Sequence, residues 1–586
     1  VFFGVIEIMY DKILLRCFLG ALLLLLILPT TAGCQNLEPA IKAYEKGEYD
    51  QAIQLLSQYV LQKPNDHEAY FYLGNVYLKK DMLDSAIIQY KKALDLKSNY
   101  WQALYQLGYV YYKHGMFDEA EKTFKDGLKI KETGEFYNGL GLVQMAMDSL
   151  KEADFSFRKA ISYDQKNPEF HKNLGDVNFK KGVVVIAIQS YKNALELDST
   201  LMDVHYNLGQ CYLKQMEFNK AMEEFKTVIR LDPRYKDAYL ALGNLYMLDR
   251  KHYLEARIIY EEYLKFDQQN SKVYLNLGET YYFLSKIGNF LIVGKDTLFQ
   301  PEILSKSVEN LEKSIALDSN VADAYLTLGK AYQDLGKFPD ALKAYDNYER
   351  VLSAQNYEWK KEDADYWVRK GQVQVEIGDS VLIPSAIASL TQAIELDSTK
   401  TSAYSFLGSA LYKQKNYTQA IPFFKKNIEA DSGNANAYMN LALCYLQLKQ
   451  FPEAREPLKK VVELDPNNLK AHDFLARVYY QLKQYEEAAG EYLAEIRLDP
   501  NNCELEGNAG TCLLFAKSPA QAIPHIRKAV SCFPRNVNYL MALAQALETN
   551  KETDEAYQYY KKVLEIDPKN KEAQDRIDYI DMQRIH

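Results

Sequence analysis

After Cys34 the apolar residues recur at helical spacing, in paired runs parted by a short polar break, and the pair itself returns at a period of 34 residues, as from Gly74 to Gly108. AYFYLGNVYLKKDMLDSAIIQYKKALDL, from Ala69, lies over ALYQLGYVYYKHGMFDEAEKTFKDGLKI, from Ala103. Both carry Leu-Gly, a Tyr three residues on, an Ala twelve after the Gly and an aromatic four beyond it. Gly or Ala holds the eighth place of each unit from Ala40 and Gly74 to Gly510 and Ala544. Ala holds the twentieth from Ala52 and Ala86 to Ala556, with Ser307 the exception. The pattern predicts about fifteen helix-turn-helix units in an all-α chain.

Small residues at those two places let antiparallel helices approach, and Tyr70, Tyr77, Tyr90 and their equivalents fill the gaps between them. That accounts for 47 Tyr against 3 Trp. Pro64, Pro233, Pro466, Pro500, Pro534 and Pro568 fall at unit ends, where proline stops the second helix. A single unit cannot bury its apolar face, so neighbours must stack.

This pattern resembles the tetratricopeptide repeat, which implies a tandem solenoid coiled as a right-handed superhelix. On that reading a regular block spans 34–284, an irregular one 285–400 and a second regular one 401–570, with a more polar capping helix over 571–586. The irregularity begins where SKIGNFLIVGKDTLFQPEIL, Ser285 to Leu304, intrudes between two helices of one unit. Its apolar part, Phe290 to Val293 with Leu298 and Phe299, is either a second docking surface or a flap folded back on the stack, and the flap is the favoured reading.

Residues 1–33 hold upstream residues and a signal peptide: Lys12 and Arg16 precede an apolar run, Cys17 to Leu28, that is short for a membrane span of roughly 20 residues. TAGC at its end resembles a bacterial lipobox, which implies lipidation at Cys34, although Thr31 stands where that family usually has Leu. Ordinary cleavage near Cys34 and a retained N-terminal transmembrane anchor are the alternatives.

A net charge of -9 excludes a basic footprint for nucleic acid. Catalytic motifs are missing; the nearest to a phosphate loop, GNFLIVGKDT from Gly288, has one residue too many between its glycines and Asp296 where Ser or Thr would bind magnesium. His171, His205 and His472 share the fourth place, where aromatics usually pack, and no ligand set completes them into a metal site. Cys211, Cys444 and Cys512 share the tenth place and read as small core residues. Cys503 and Cys532 lie near the start of the first helix and the end of the second in one unit, which antiparallel packing brings together: a candidate disulfide in an oxidising compartment, or two thiols in a reducing one.

By the same resemblance, the first helix of each unit lines a concave groove. Asn173, Asn207, Asn276, Asn440 and Asn508 hold the sixth place, where asparagines can bond the backbone of an extended peptide. The row is broken by Ala241, Thr327, Arg369 and Phe406, and the alternative is helix-surface asparagines without a partner. Phe71, Tyr105 and Tyr206 at the fifth place add aromatic contacts. The carboxylate clamp of cytosolic co-chaperones is rejected, since Leu240, Asp323 and Thr327 stand where its cations belong. The expectation is a protein-binding scaffold with no cofactor, metal or small-molecule substrate, in a bacterial envelope as an outer-membrane or periplasmic lipoprotein, with envelope proteins as partners. A structural part in a pilus, secretion or outer-membrane machine is the alternative. From another class, the irregular middle would carry regulatory or catalytic chemistry.

Overall fold

The computed structural model describes residues 36–248, 252–293, 296–355 and 363–585; Cys34 and the leader lie outside them. The described residues form 31 helices and one two-stranded sheet. None of the described helices is long and apolar enough to cross a membrane.

The chain divides into two compact units, Val1–Phe266 and Asp267–His586. The described part of the first unit is a run of antiparallel pairs, from Glu38–Glu45 with Tyr49–Gln62 to Lys236–Leu248 with Tyr253–Leu264. The second begins with Ser271–Ile287 and Gln300–Leu317 and ends with Val537–Thr549 and Thr553–Ile566. Its last helix, Lys571–Ile585, buries Ala573, Ile577 and Ile580 against the preceding pair, whereas Tyr579 and Met582 face solvent.

Each pair closes on an aromatic ring or a branched side chain. A Cβ built on Gly74 falls 2.5 Å from the ring of Tyr90, one on Gly175 2.4 Å from Tyr191, and one on Gly243 2.4 Å from Tyr260. The eighth-place glycine is therefore room for the ring sixteen or seventeen residues later. Each buried ring contributes about 2 kcal/mol of apolar transfer energy. Ala442, Ala476 and Ala544 hold that place in other repeats, fully buried in the same core cluster as Leu458, Tyr492 and Tyr560. The twentieth-place alanines are equally buried, and Ser307 fits there because its hydroxyl donates to the Gly278 carbonyl at 2.7 Å.

Among the described residues, most turns between the helices of a pair pass through one left-handed residue. Glycine supplies it at Gly47, Gly115, Gly182, Gly336 and Gly378; Asp81, Asp148, Met216, Lys415 and Lys449 do so elsewhere. At the start of first helices, Asp66, Asn167, Asn434, Asn468 and Asn502 accept a backbone N–H two or three residues on. These caps recur because each unit reopens a helix immediately after closing one.

The intruding segment folds as a hairpin, β1 (Phe290–Val293) paired antiparallel with β2 (Asp296–Phe299), with Phe290 opposite Phe299 and Leu291 opposite Leu298. Alternation sorts the two faces. Leu291 is buried and Leu298 half-buried, while Phe290, Ile292 and Phe299 stay about 60% exposed (60%, 63% and 59%). One face of the hairpin is folded down and the other is exposed.

Cys503 and Cys532 are joined as a disulfide with Cα atoms 6.3 Å apart, tying the start of Cys503–Phe515 to the end of Pro519–Cys532. Cys211, Cys444 and Cys512 are buried and unpaired.

Candidate binding surface on the first helices

The sixth-place asparagines are not equivalent. Asn173 is 5% exposed and donates its amide to Asn138 Oδ1 at 2.8 Å, on the neighbouring first helix. Asn207 is half-buried and donates to Asp176 Oδ1 at 3.1 Å, an oxygen that also accepts from the Tyr191 hydroxyl at 2.7 Å. Burial raises the Asp176 carboxyl above its ordinary value against those two bonds. Asn276 and Asn440 are half-buried, and Asn508 is exposed. Side-chain bonds thus link adjacent first helices in the first unit, and of the sixth-place amides in the second Asn508 faces solvent.

The fifth-place aromatics turn inward. Phe71 packs on Tyr90 and Tyr100 with ring centroids 6.0 and 5.2 Å apart, Tyr105 on Phe124 and Phe136, and Tyr206 on Phe225 and Tyr235. Burial pushes the Tyr105 hydroxyl up to about 12. These rings are half-buried and serve mainly as mortar between units.

At the fourth place, the side chain reaches back six residues to the carbonyl that closes the previous unit. His171 does this to Gln165, His205 to Ser199 and His472 to Pro466, as the hydroxyls of Tyr239 and Tyr404 do to Pro233 and Ser398. His205 and His472 also turn Nδ1 onto Glu224 and Glu491, each at 2.6 Å. These histidines take the aromatic's place and add a bond across the pair. No group of three or more His, Cys, Asp or Glu among the described residues is arranged to hold a metal.

In the second unit the polar row changes character. Glu279 accepts from Thr327 at 3.4 Å, and burial, followed by the charge of Asp323, pushes its carboxyl up to about 7. Gln333 donates to Gln372 at 2.9 Å and accepts from Arg369 at 3.3 Å. Lys330 lies one helical turn before Gln333, half-buried. Burial, then the charge of Arg369, lowers its ammonium below the ordinary lysine value.

Family models described as tetratricopeptide repeat match residues 40–103, 326–381, 383–435 and 510–571, 203–235, and 102–133 and 134–167. A further model, described as TPR repeat, matches 187–215. The chain is built of tetratricopeptide repeats. A model of anaphase-promoting complex, cyclosome, subunit 3, matches 413–494. No curated protein matches the sequence.

Among solved structures, these repeats are similar to YrrB, described as a TPR protein with an unusual peptide-binding site, at 25% identity over 32% of this chain and 96% of that one, TM-score 0.27. PilF of Pseudomonas aeruginosa matches at 21% identity over 38% and 94%, TM-score 0.32. The TPR domain of P58(IPK) matches at 18% over 71% and 97%, TM-score 0.27.

By resemblance the ninth place also points into the groove, but the sequence singled out residues only at the fifth and sixth. Asp176, Glu279 and Lys330 each follow the eighth-place glycine directly and are charged side chains of this face. Spacing alone points to them; what it does not give is their burial or which neighbour satisfies each.

Proposed function

We propose that this protein is a non-catalytic scaffold whose first-helix face holds extended segments of other proteins, exported and fastened to a bacterial envelope membrane through Cys34. Tetratricopeptide repeats are generally non-catalytic, and here they run through the described chain in both units. The observation that carries the reading is the pair of side-chain bonds between neighbouring first helices of the first compact unit, Asn173 with Asn138 and Asn207 with Asp176; within the second, Asn276, Asn440 and Asn508 hold the same place of their repeats. Donors and acceptors spaced along a row suit the repeating peptide groups of an extended chain, with affinity spread over several units. The envelope assignment rests on the leader and TAGC alone.

The test is a cross-linked pull-down of carboxy-terminally tagged protein from cell envelopes, read by mass spectrometry for captured proteins and for the bait's first peptide. An acylated Cys34 with a recurring envelope protein, lost in Asn207→Ala/Asn276→Ala, is the expected result. An unprocessed leader with cytosolic proteins alone overturns the compartment, and capture unchanged in the double variant removes the asparagine row. The open face of the β1–β2 hairpin favours a second reading, a fixed part of a pilus, secretion or outer-membrane machine, which a stoichiometric complex on native gels would reveal.

A further inference from the structure

Opposed residues of an antiparallel strand pair alternate between those that exchange hydrogen bonds with each other and those whose N–H and C=O point away from the partner strand. In the β1–β2 hairpin the Gln300 N–H donates to the Asn289 carbonyl at 2.9 Å, one step beyond the Phe290–Phe299 pair. Asn289–Gln300, Leu291–Leu298 and Val293–Asp296 are therefore the bonded pairs. Phe290 and Ile292 on β1, and Thr297 and Phe299 on β2, turn their backbone groups outward.

The two outer edges differ. On β2 the Phe299 N–H is taken by the Glu302 carboxylate at 2.7 Å, and the chain turns straight into Gln300–Leu317. On β1 nothing comparable closes the edge: among the described residues, no hydrogen bond meets the outward groups of Phe290 and Ile292. From Asn289 to Val293 the strand also has no charge and no proline, two devices that commonly keep edge strands apart. The side chains of Phe290 and Ile292 are exposed on one side of the strand, while Leu291 between them is buried on the other.

We propose that β1 pairs antiparallel with β1 of a second copy of this chain, joining the two hairpins into one continuous sheet. The register follows from the outward groups. A twofold axis through Leu291 sets Phe290 of each copy opposite Ile292 of the other, and each exchanges N–H and C=O with its opposite. No other antiparallel register of this strand on itself satisfies both residues in both copies. The side chains agree with it, because an aromatic directly opposite a β-branched residue is a favourable cross-strand pair. The seam carries no charge, so two chains of net charge -9 meet there without like charges face to face. One strand pair buries less than the roughly 1,200 Å² of a stable specific interface, which makes the association reversible and dependent on concentration. It is independent of what the first helices hold.

The experiment is sedimentation velocity of the full chain from about 1 to about 200 µM, which reads the balance of monomer and dimer by mass action. Two lysine variants locate the contact. Ile292→Lys places a charge at the seam, whereas Thr297→Lys places one on the same exposed face but on the outer strand, away from the seam. Circular dichroism confirms that both variants keep their helices. A dimer that grows with concentration is expected, weakened about tenfold or more by Ile292→Lys and changed by less than about twofold by Thr297→Lys. A chain that stays monomeric throughout, or a dimer that survives Ile292→Lys, overturns the pairing. A dimer abolished by both lysines also overturns it, because the apolar faces would then stack on each other instead of the strands joining edge to edge.

Discussion

Glu506 and His525 form, with their places exchanged, the bridge that His205 and Glu224 make in another repeat. In each case Nδ1 lies 2.6 Å from a carboxylate oxygen, between the fourth and twenty-third places of one unit, and His472 with Glu491 repeats the first arrangement. In these three repeats an imidazole and a carboxylate fill the slot, and either helix can carry either one, because the pair spans the same gap both ways. Lys528 reinforces the reversed pair at 2.6 Å from Glu506.

His205 titrates against folding. The bond from Glu224, helped by the Ser199 carbonyl, raises its pKa above the ordinary histidine value. Its contribution is complete below the unfolded value of about 6.5 and is lost as pH rises through the raised folded value. Glu224→Gln should lower the thermal midpoint at about pH 5.5 by the equivalent of about 1 kcal/mol, with the gap closing by about pH 8.5. A gap that widens with pH would refute the bridge.

Glu279 acts through the carboxylate range. Its pKa, pushed up to about 7 by burial, lies above the unfolded value, so the folded state loses stability as pH rises from about 4.5 to 7 and stays penalised above. Glu279→Gln removes the penalty. Its thermal midpoint should exceed that of the parent at pH 8, by the equivalent of about 2 kcal/mol, and match it near pH 4. Equal midpoints at both would mean the carboxyl is solvated.

Gly243 leaves room for Tyr260, and the size of an added side chain sets the cost. Gly243→Ala should stay within about 1 kcal/mol of the parent, since better helix propensity offsets a small ring shift and another repeat carries Ala476 at this place, in one core cluster with Tyr492. Gly243→Val should cost about 3 kcal/mol by denaturant unfolding. Tolerance of valine would show that the ring is free to swing away.

Met216 holds the left-handed turn position at φ 58°, where five repeats use glycine, and its side chain is 78% exposed. Met216→Gly relieves backbone strain without removing a core contact. A stabilisation of about 1 kcal/mol in thermal melts is expected. A loss would mean that the exposed side chain makes a stabilising contact.

The sequence by itself determined the repeat: small residues at the eighth and twentieth places, aromatics between them and prolines at unit ends are local requirements of a helix pair, and a local requirement repeated at fixed spacing is legible. It also brought Cys503 and Cys532 together, because antiparallel pairing follows from that same period. Tertiary structure alone decided what each polar residue does. Asn173 and Asn508 share a place in the repeat, yet one is buried against Asn138 and the other faces solvent. Lys370 and Arg369 are adjacent in sequence, yet one has two carboxylates and the other a neutral amide. Partners of this kind come from neighbouring units and are specific to each junction, so no repeat position encodes them.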